Sequence, residues 1–164
     1  MTRCHTVLES PLGPLTVVVE DDRLVGLYVE QGLTKALERS ATLGSASDPD
    51  DVPLLRAVAD QLSAYFSGGL TEFDLPVAAV GTPFQQRVWE ALQRIPYGET
   101  WSYGRLATEV GNPAATRAVG AANGRNPVSI VVPCHRVIGS TGRLTGYAGG
   151  LTTKEQLLAL ERVR

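Results

Sequence analysis

Cysteine, histidine and methionine are all scarce in this chain. Its 164 residues include two cysteines, two histidines and one methionine. Cys4 and Cys134 lie far apart and give no disulfide framework, which fits a reducing cytosol. Each is followed directly by a histidine, His5 or His135, whereas zinc ligands are usually separated by two to four residues. We therefore expect no metal site, and we assign no cofactor.

Long apolar runs are also missing. No stretch approaches the roughly 20 apolar residues of a membrane-spanning helix. No basic N-terminal region precedes a long apolar core, as it would in a signal peptide. We therefore expect a cytoplasmic protein without a membrane partner. The composition, 43% hydrophobic and 20% charged, is ordinary for a globular protein, and the length suits one compact domain or two small ones.

The charge is small in total but unevenly distributed. The net charge is −2, yet residues 1–79 contain 5 Lys and Arg against 12 Asp and Glu, while residues 80–164 contain 10 against 5. Uneven charge alone does not establish a binding surface, because many proteins show it. If this protein binds a polyanion, we expect the second half to bind it.

The first half shows the pattern of a small antiparallel sheet with helices. Residues 6–9, 15–20 and 24–29 alternate or are β-branched, and turn residues separate them, which predicts a three-stranded meander. Helical spacing is present in residues 33–39 and is clearer in residues 52–67. The apolar face of the longer helix consists of Leu55, Val58, Leu62 and Tyr65, and residues 42–51 are predicted to form a loop. Nothing in this half arranges reactive groups, so we interpret it as a scaffold.

The second half begins with signals for three helices. Residues 82–85, Thr-Pro-Phe-Gln, have the pattern of a capping box. Ser102 is predicted to cap a helix over residues 103–110, and a third helix is predicted over residues 113–123. Two short helices joined by a tight turn indicate a helix-turn-helix. Its position in the basic half favours nucleic-acid binding.

The third predicted helix is almost bare of long side chains. It consists mainly of alanine and glycine, and Arg117 is its one long cationic residue before Arg125. A bare helix allows its backbone to approach another surface closely. That surface is either packed protein or a narrow nucleic-acid groove, and composition alone does not decide between them.

A β-branched run leads into the second cysteine. Residues 130–132 are Ile-Val-Val and Pro133 follows, which predicts a buried strand that ends directly before Cys134. A thiol with a pKa of roughly 8.5 needs a base or a positive environment to react at neutral pH, and His135 and Arg136 are candidates for both. Because free cysteines are often inert core residues, the Cys-His pair alone leaves a structural role open.

The chain closes with a glycine-rich loop and one more helix. Glycines punctuate residues 139–150 around Tyr147, which indicates backbone that approaches another group closely. Residues 154–161 are predicted to form a helix that packs through Leu157, Leu158 and Leu160. Glu161 is the acid on its late turns, available to orient a histidine.

Taken together, these motifs resemble those of the O6-alkylguanine-DNA alkyltransferases, also called methylated-DNA–protein-cysteine methyltransferases. Pro133-Cys134-His135-Arg136-Val137 is similar to the signature around the acceptor cysteine of that family. Over residues 80–164 further matches occur in the same order, at residues 84–89, 95–100, 102–103, 118–120, 126–127 and 146–150. The first half is similar to the family's variable N-terminal domain more loosely, through residues 10–13 and 73–76.

The resemblance implies an α+β fold in two parts. Residues 1–78 would form a small N-terminal α/β domain, an RNase H-like antiparallel sheet with helices. Residues 79–164 would form a winged helix-turn-helix domain that carries the reactive cysteine. The implied activity is DNA repair by direct reversal, with irreversible transfer of one alkyl group to Cys134 from O6-alkylguanine, or from O4-alkylthymine, in double-stranded DNA. We expect a monomer in solution, with cooperative binding along DNA left open.

The resemblance also implies roles at the reacting centre. Cys134 would be the nucleophile and His135 its base, acting through a water. Glu161 would orient His135, and Asn126 would hold the turn. The carbonyls of Cys134 and Val137 would accept hydrogen bonds from the guanine amino group.

Further roles concern DNA. The family binds the minor groove and flips the damaged base out, and Arg117 would fill the gap in the stack while Tyr103 rotates the 3′ phosphate. Additional contacts would come from Ser102, Ala118 and the loop Tyr147-Ala148-Gly149. Many members carry serine where this chain has Ala148, which puts the range of accepted alkyl groups in doubt.

Three other functions fit parts of the sequence. A non-catalytic lesion sensor shares the scaffold, but the alkyltransferase-like sensors replace the cysteine that this chain keeps. A helix-turn-helix regulator would give a sequence-specific footprint without a reaction at Cys134. A cysteine hydrolase would turn over repeatedly on an ester.

Overall fold

The first half of the chain is built on an antiparallel meander. The computed structural model describes residues 2–143 and 147–162. Strands β1 (Arg3–Leu8), β2 (Leu15–Glu20) and β3 (Arg23–Val29) pair in sequence, and the short β4 (Ser45–Ala46) adds to β1 in parallel, giving the order β3-β2-β1-β4. The three predicted strands are present, but β1 begins three residues before the predicted stretch over residues 6–9 and ends one residue before its end. The predicted loop over residues 42–51 is wrong in part, because it contains β4 and a 3₁₀ turn, Pro49–Asp51.

Two helices pack with this sheet. Helix α1 (Glu30–Glu38) follows β3 directly, three residues earlier than the sequence predicts. Helix α2 (Pro53–Phe66) begins at a proline in its first turn and buries the four apolar residues that its spacing predicted. The last of them, Tyr65, is fully buried, so this face of α2 points into the core.

The second half contains the helix-turn-helix. Helix α3 (Pro83–Leu92) starts with the predicted capping box, in which Thr82 and Gln85 bond reciprocally. Ser102 caps helix α4 (Tyr103–Glu109) by accepting from the Arg105 N–H at 3.0 Å. Helix α5 (Thr116–Gly124) packs on both α3 and α4, and the Trp89 indole of α3 donates to the Ala122 carbonyl at 2.9 Å.

Helix α5 is shorter than predicted. The sequence places its start at residue 113, but residues 112–115 form a turn closed by the Ala115 N–H on the Asn112 carbonyl at 2.9 Å. The Asn-Pro pair is a turn signal as well as a helix-start signal. Here it closes the turn between α4 and α5.

The predicted strand before Cys134 is wrong. Residues 129–132 form a turn in which Ile130 has φ +74°, and the Val132 N–H returns to the Val128 carbonyl at 3.0 Å. The Asn126 side chain holds this turn from both ends, because Nδ2 donates to the Val132 carbonyl at 2.8 Å and Oδ1 accepts from the Val128 N–H at 3.0 Å. Ile130 and Val132 are nevertheless buried, so the apolar run indicated burial and not a strand.

The two halves share backbone contacts and one apolar core. The Leu24 N–H bonds to the Pro76 carbonyl at 2.7 Å, and the Leu27 N–H bonds to the Pro127 carbonyl at 2.9 Å. Strand β3 therefore touches both the connecting segment and the turn that leads to Cys134. In the second half, β5 (Trp101–Ser102) pairs in parallel with β6 (Val137–Ile138), and helix α6 (Leu151–Arg162) closes the fold.

Within residues 2–143 and 147–162, no helix is long and apolar enough to cross a membrane.

Candidate active site

Cys134 opens a short 3₁₀ helix, Cys134–Arg136, directly after Pro133. Its N–H donates to the Val132 carbonyl at 2.8 Å, and its carbonyl accepts from Asn123 Nδ2 at 3.4 Å. The residue is 4% exposed. The thiol is therefore held by a rigid turn just beneath the surface.

Burial raises the pKa of the Cys134 thiol, while side-chain hydrogen bonds with Asn126 and Ser129 and the charge of Lys154 pull the pKa down. The burial effect is the largest of these. Cys134 is therefore a thiol at neutral pH and needs a base to become nucleophilic.

Three side chains donate hydrogen bonds to the carboxylate of Glu161, near the end of α6. The Oε2 atom accepts from His135 Nε2 at 2.8 Å, from the Tyr65 hydroxyl at 2.7 Å and from Arg136 Nη2 at 2.9 Å. Oε1 accepts from Arg136 Nε at 2.8 Å. Arg136 Nη1 is anchored in turn on the Ile95 carbonyl at 2.7 Å. The structure thus brings the predicted pair His135 and Glu161 together and adds Arg136 and Tyr65.

The charge state of this cluster follows from its contacts. Burial alone would raise the pKa of Glu161, but the hydrogen bonds and charges of His135 and Arg136 outweigh it and lower the pKa to about 2. Burial also lowers the pKa of His135, and the Glu161 hydrogen bond opposes this only in part. At neutral pH we therefore expect an ionised Glu161 and a neutral His135.

This state fixes the tautomer of His135. An ionised carboxylate only accepts hydrogen bonds, so Nε2 must carry the proton and Nδ1 must carry the lone pair. Nδ1 is buried and has no hydrogen-bond partner among the described residues. A neutral imidazole with a free Nδ1 lone pair, next in sequence to the thiol, is a suitable base.

The buried neutral His135 predicts that the free energy of unfolding falls as the pH drops below about 6.5. The unfolded chain binds a proton there that the folded chain binds only at lower pH, and stability rises with pH wherever the unfolded state binds more protons. Glu161, with its pKa lowered to about 2, steepens the same trend below about pH 4.3. Urea unfolding at a series of pH values measures both effects.

A substitution at His135 tests this assignment. His135→Gln should remove the fall in stability that begins near pH 6.5. Wild-type stability that does not fall as the pH drops below about 6.5 would contradict a neutral buried His135.

Lys154 is a second buried cation beside the thiol. It is 0% exposed on the inner face of α6, and its Nζ donates to the Val137 carbonyl at 2.5 Å. Burial lowers the pKa of Lys154 to about 8, and the nearby Cys134 opposes this shift. The Val137 carbonyl, which is predicted to contact the guanine, thus already accepts one hydrogen bond within the protein.

The residues predicted to contact DNA lie on the helix-turn-helix. Arg117 and Ala118 are exposed on α5. Tyr103, in the first turn of α4, is half-buried, and its ring packs on Gly120 of α5, where a Cβ would lie 3.6 Å from the ring. Ser102 is half-buried and serves as the α4 cap. One face thus presents the exposed arginine and the tyrosine together.

The loop predicted to line the pocket packs against the first half of the chain. Tyr147 and Gly149 are buried and Ala148 is half-buried. A Cβ at Gly149 would clash with Val29 of β3 and with the Tyr147 ring, so the loop requires glycine there. Gly146, which opens this motif, lies outside the described residues.

Sequence reasoning missed three residues of the site: Tyr65, Lys154 and Ser129. A signal existed for Lys154, because Lys154, Leu157, Leu158 and Glu161 follow helical spacing and all four are buried. Helical spacing on α2 predicts only a packing role for Tyr65. Ser129 lies in the turn whose apolar residues predict a strand.

The described residues also bear on metal binding. Among them, no group of three or more His, Cys, Asp or Glu side chains is placed to hold a metal ion. Cys4 and His5 lie on β1, in the sheet of the first half.

Two family models match the chain. The model for the DNA-binding domain of 6-O-methylguanine DNA methyltransferase matches residues 83–163, and the model for the ribonuclease-like domain of the same family matches residues 4–79. The fold expectation, a ribonuclease-like first part and a helical DNA-binding second part, is confirmed.

Individual relatives cover almost the whole chain. A methylated-DNA–protein-cysteine methyltransferase of Mycobacterium tuberculosis is 51% identical over 98% of this chain and 93% of its own. The constitutive methyltransferase of Bacillus subtilis is 46% identical over 97% of this chain and 95% of its own. A crystal structure of Mycobacterium tuberculosis OGT in complex with DNA superposes with a TM-score of 0.85 at 48% identity, covering 97% of this chain and 92% of that one. The chain therefore belongs to the 6-O-methylguanine DNA methyltransferase family.

Proposed function

We propose that this protein repairs alkylated DNA by moving the alkyl group from O6-alkylguanine, and from O4-alkylthymine, to its own Cys134. The observation that carries this proposal is the buried Cys134 thiol beside the His135–Glu161 pair, on the domain that bears the helix-turn-helix. The names of its relatives and the DNA complex of one of them support the same activity. We propose residues 1–78 and 79–164 as the two domains.

DNA binding is assigned to the face formed by α4 and α5. The small side chains of α5 allow it to lie in a minor groove, where the exposed Arg117 enters the base stack in place of the extruded nucleotide. Tyr103 turns the 3′ phosphate, and Ser102 and Ala118 contact the adjacent backbone. Extruding a base costs a few kcal/mol, and least for a weakly paired, damaged one.

The flipped guanine is held between the segment Cys134–Val137 and the loop Tyr147-Ala148-Gly149. The carbonyls of Cys134 and Val137 accept from its amino group, Tyr147 and Gly149 line the pocket, and the Ala148 N–H lies near O6. A backbone donor at residue 148 does not depend on the side chain, so alanine there keeps the hydrogen bond.

The transfer step follows from the charge states. His135 Nδ1 takes the thiol proton through a bridging water, and Glu161 stabilises the imidazolium that results. The Cys134 thiolate attacks the alkyl carbon, a C–S bond forms and the C–O6 bond breaks. The electron pair stays with guanine O6, and the guanine recovers a proton, which leaves an ordinary guanine and a thioether. Asn126 keeps Cys134 in position by holding the turn.

A thioether is stable, so each molecule reacts once. A reducing cytoplasm keeps the acceptor thiol free, and we propose that the protein acts there, as a monomer in solution.

Mixing the protein with an excess of duplex DNA carrying O6-methylguanine tests whether each molecule reacts only once. Repaired guanine should rise to the molar amount of protein and stop. Continued turnover would contradict the proposal, and tight binding without repair would identify a lesion sensor instead.

The role of Arg117 makes a separate prediction. Arg117→Ala should slow repair of duplex DNA by roughly tenfold or more, yet change the reaction with free O6-benzylguanine by less than about twofold, because only the duplex requires a base to be held out. Rate constants for transfer to both substrates measure the difference. Arg125→Ala, which removes the same charge just beyond the other end of α5, is the matched control. Equal losses on both substrates would contradict the role.

A further inference from the structure

Tyr65 is the one contribution of the first half of the chain to the Glu161 cluster, among the described residues. Its side chain is fully buried on α2. Its hydroxyl meets Glu161 Oε2 at 2.7 Å across 96 residues of sequence. His135 Nε2 and Arg136 Nη2 donate to the same oxygen, Glu161 Oε2, at 2.8 and 2.9 Å. The scaffold half thus reaches the carboxylate that orients the proposed base.

We propose that Tyr65 is a positioning residue for alkyl transfer, which tunes the basicity of His135 through Glu161. This inference rests on the proposed function. The Tyr65 hydroxyl has one proton, and the ionised carboxylate can only accept, so Tyr65 donates to the same oxygen that holds His135. The donation restrains the Glu161 side chain and withdraws negative charge from the oxygen that faces the imidazole.

The expected effect follows from this sharing. Without the Tyr65 hydroxyl, the Oε2 atom carries more charge toward His135, which stabilises the imidazolium and raises the pKa of His135. The base is then protonated over a wider acidic range. Three other charged or titratable groups lie around His135 and Glu161: Arg136 in the 3₁₀ helix Cys134–Arg136, Lys154 on α6, and Tyr97. Tyr65→Phe leaves all three in place.

The test compares Tyr65→Phe with Tyr97→Phe. Tyr97 lies next to Tyr65 at a ring-centroid distance of 6.3 Å, and its buried hydroxyl has no hydrogen-bond partner among the described residues. Both substitutions remove one buried oxygen and keep the ring. We measure the rate constant of methyl transfer from duplex O6-methylguanine as a function of pH.

Tyr65→Phe should move the acid limb of the profile to higher pH, by about one pH unit, and so lower the rate constant roughly tenfold on the acid side of the profile, where His135 is protonated. Tyr97→Phe should do neither. A merely structural role would lower stability without moving the limb, so an unmoved limb in Tyr65→Phe overturns the inference. Wild-type protein that transfers no methyl group at any pH would instead refute the proposed function.

A measurement on the wild-type protein covers the case in which Tyr65→Phe does not fold. In protein labelled with ¹³C at tyrosine Cζ, the Tyr65 hydroxyl proton should exchange slowly and appear as a resolved downfield signal coupled to its Cζ, as a buried donor to a carboxylate does. A spectrum that lacks this signal, while the wild-type protein repairs DNA, would overturn the donation from Tyr65.

Discussion

Replacing Cys134 with alanine should abolish alkyl transfer and leave binding to lesion-containing duplex DNA intact. The reason is spatial separation of the two functions. The acceptor sulfur lies in the buried turn that follows Pro133, whereas the proposed DNA contacts lie on α4 and α5. Transfer to a radiolabelled or mass-tagged protein and gel-shift affinity for the same duplex measure the two separately.

Cys4 supplies the matched control for this experiment. It is the other cysteine of the chain, is buried at 6% exposure on β1, and belongs to the sheet of the first half. Cys4→Ala should transfer a methyl group at the wild-type rate. Transfer that persists in Cys134→Ala would show that another residue is the acceptor.

Replacing Glu161 with glutamine should reduce both stability and activity strongly. The amide removes the negative charge that pairs with Arg136, and the guanidinium is then buried without a counter-charge, which costs about 3–5 kcal/mol of unfolding free energy. The neutral amide also cannot stabilise the imidazolium of His135, so the transfer rate constant should fall by roughly a hundredfold or more. Urea unfolding and single-turnover kinetics measure the two effects.

Glu155 gives a control on the same helix. It is exposed on α6, and replacing it with glutamine removes an equal charge without touching the cluster. Glu155→Gln should change stability by less than about 0.5 kcal/mol, as surface substitutions usually do, and should leave the rate unchanged. A Glu161→Gln variant as active as Glu155→Gln would contradict the role assigned to Glu161.

Local patterns predicted those parts of the fold that local interactions determine. The capping box at Thr82 and Gln85 and the Ser102 cap use side chains that bond within the next three residues. The buried face of α2 follows from helical spacing alone. The meander followed from alternation and turn residues, because hairpin strands lie next to each other in sequence.

The turn before Cys134 could not be predicted in the same way. An apolar β-branched run has the same appearance in a buried strand and in a buried turn. Two features make this segment a turn and not a strand. The Asn126 side chain hydrogen-bonds on both sides of the turn, and Ile130, a β-branched residue, has φ +74°. Such a residue at positive φ is uncommon, so the default expectation for the run is extended backbone.

The centre of the candidate site was predictable only in part. The pairing of His135 with Glu161 came from the resemblance, and the structure brings these side chains to 2.8 Å. The contact of Tyr65 joins elements 96 residues apart, and no local pattern on α2 distinguishes a core tyrosine from one that donates to a carboxylate. Only the packing of the two halves reveals it.

The most direct test of the central claim is the mass of the protein after reaction with duplex DNA that carries one O6-methylguanine. We predict a gain of one methyl group per molecule, saturating at that value, and located by digestion on the tryptic peptide 126–136, which contains Cys134 and no other cysteine. An unchanged mass in protein that binds the lesion tightly, or a methyl group on any other peptide, would contradict the account.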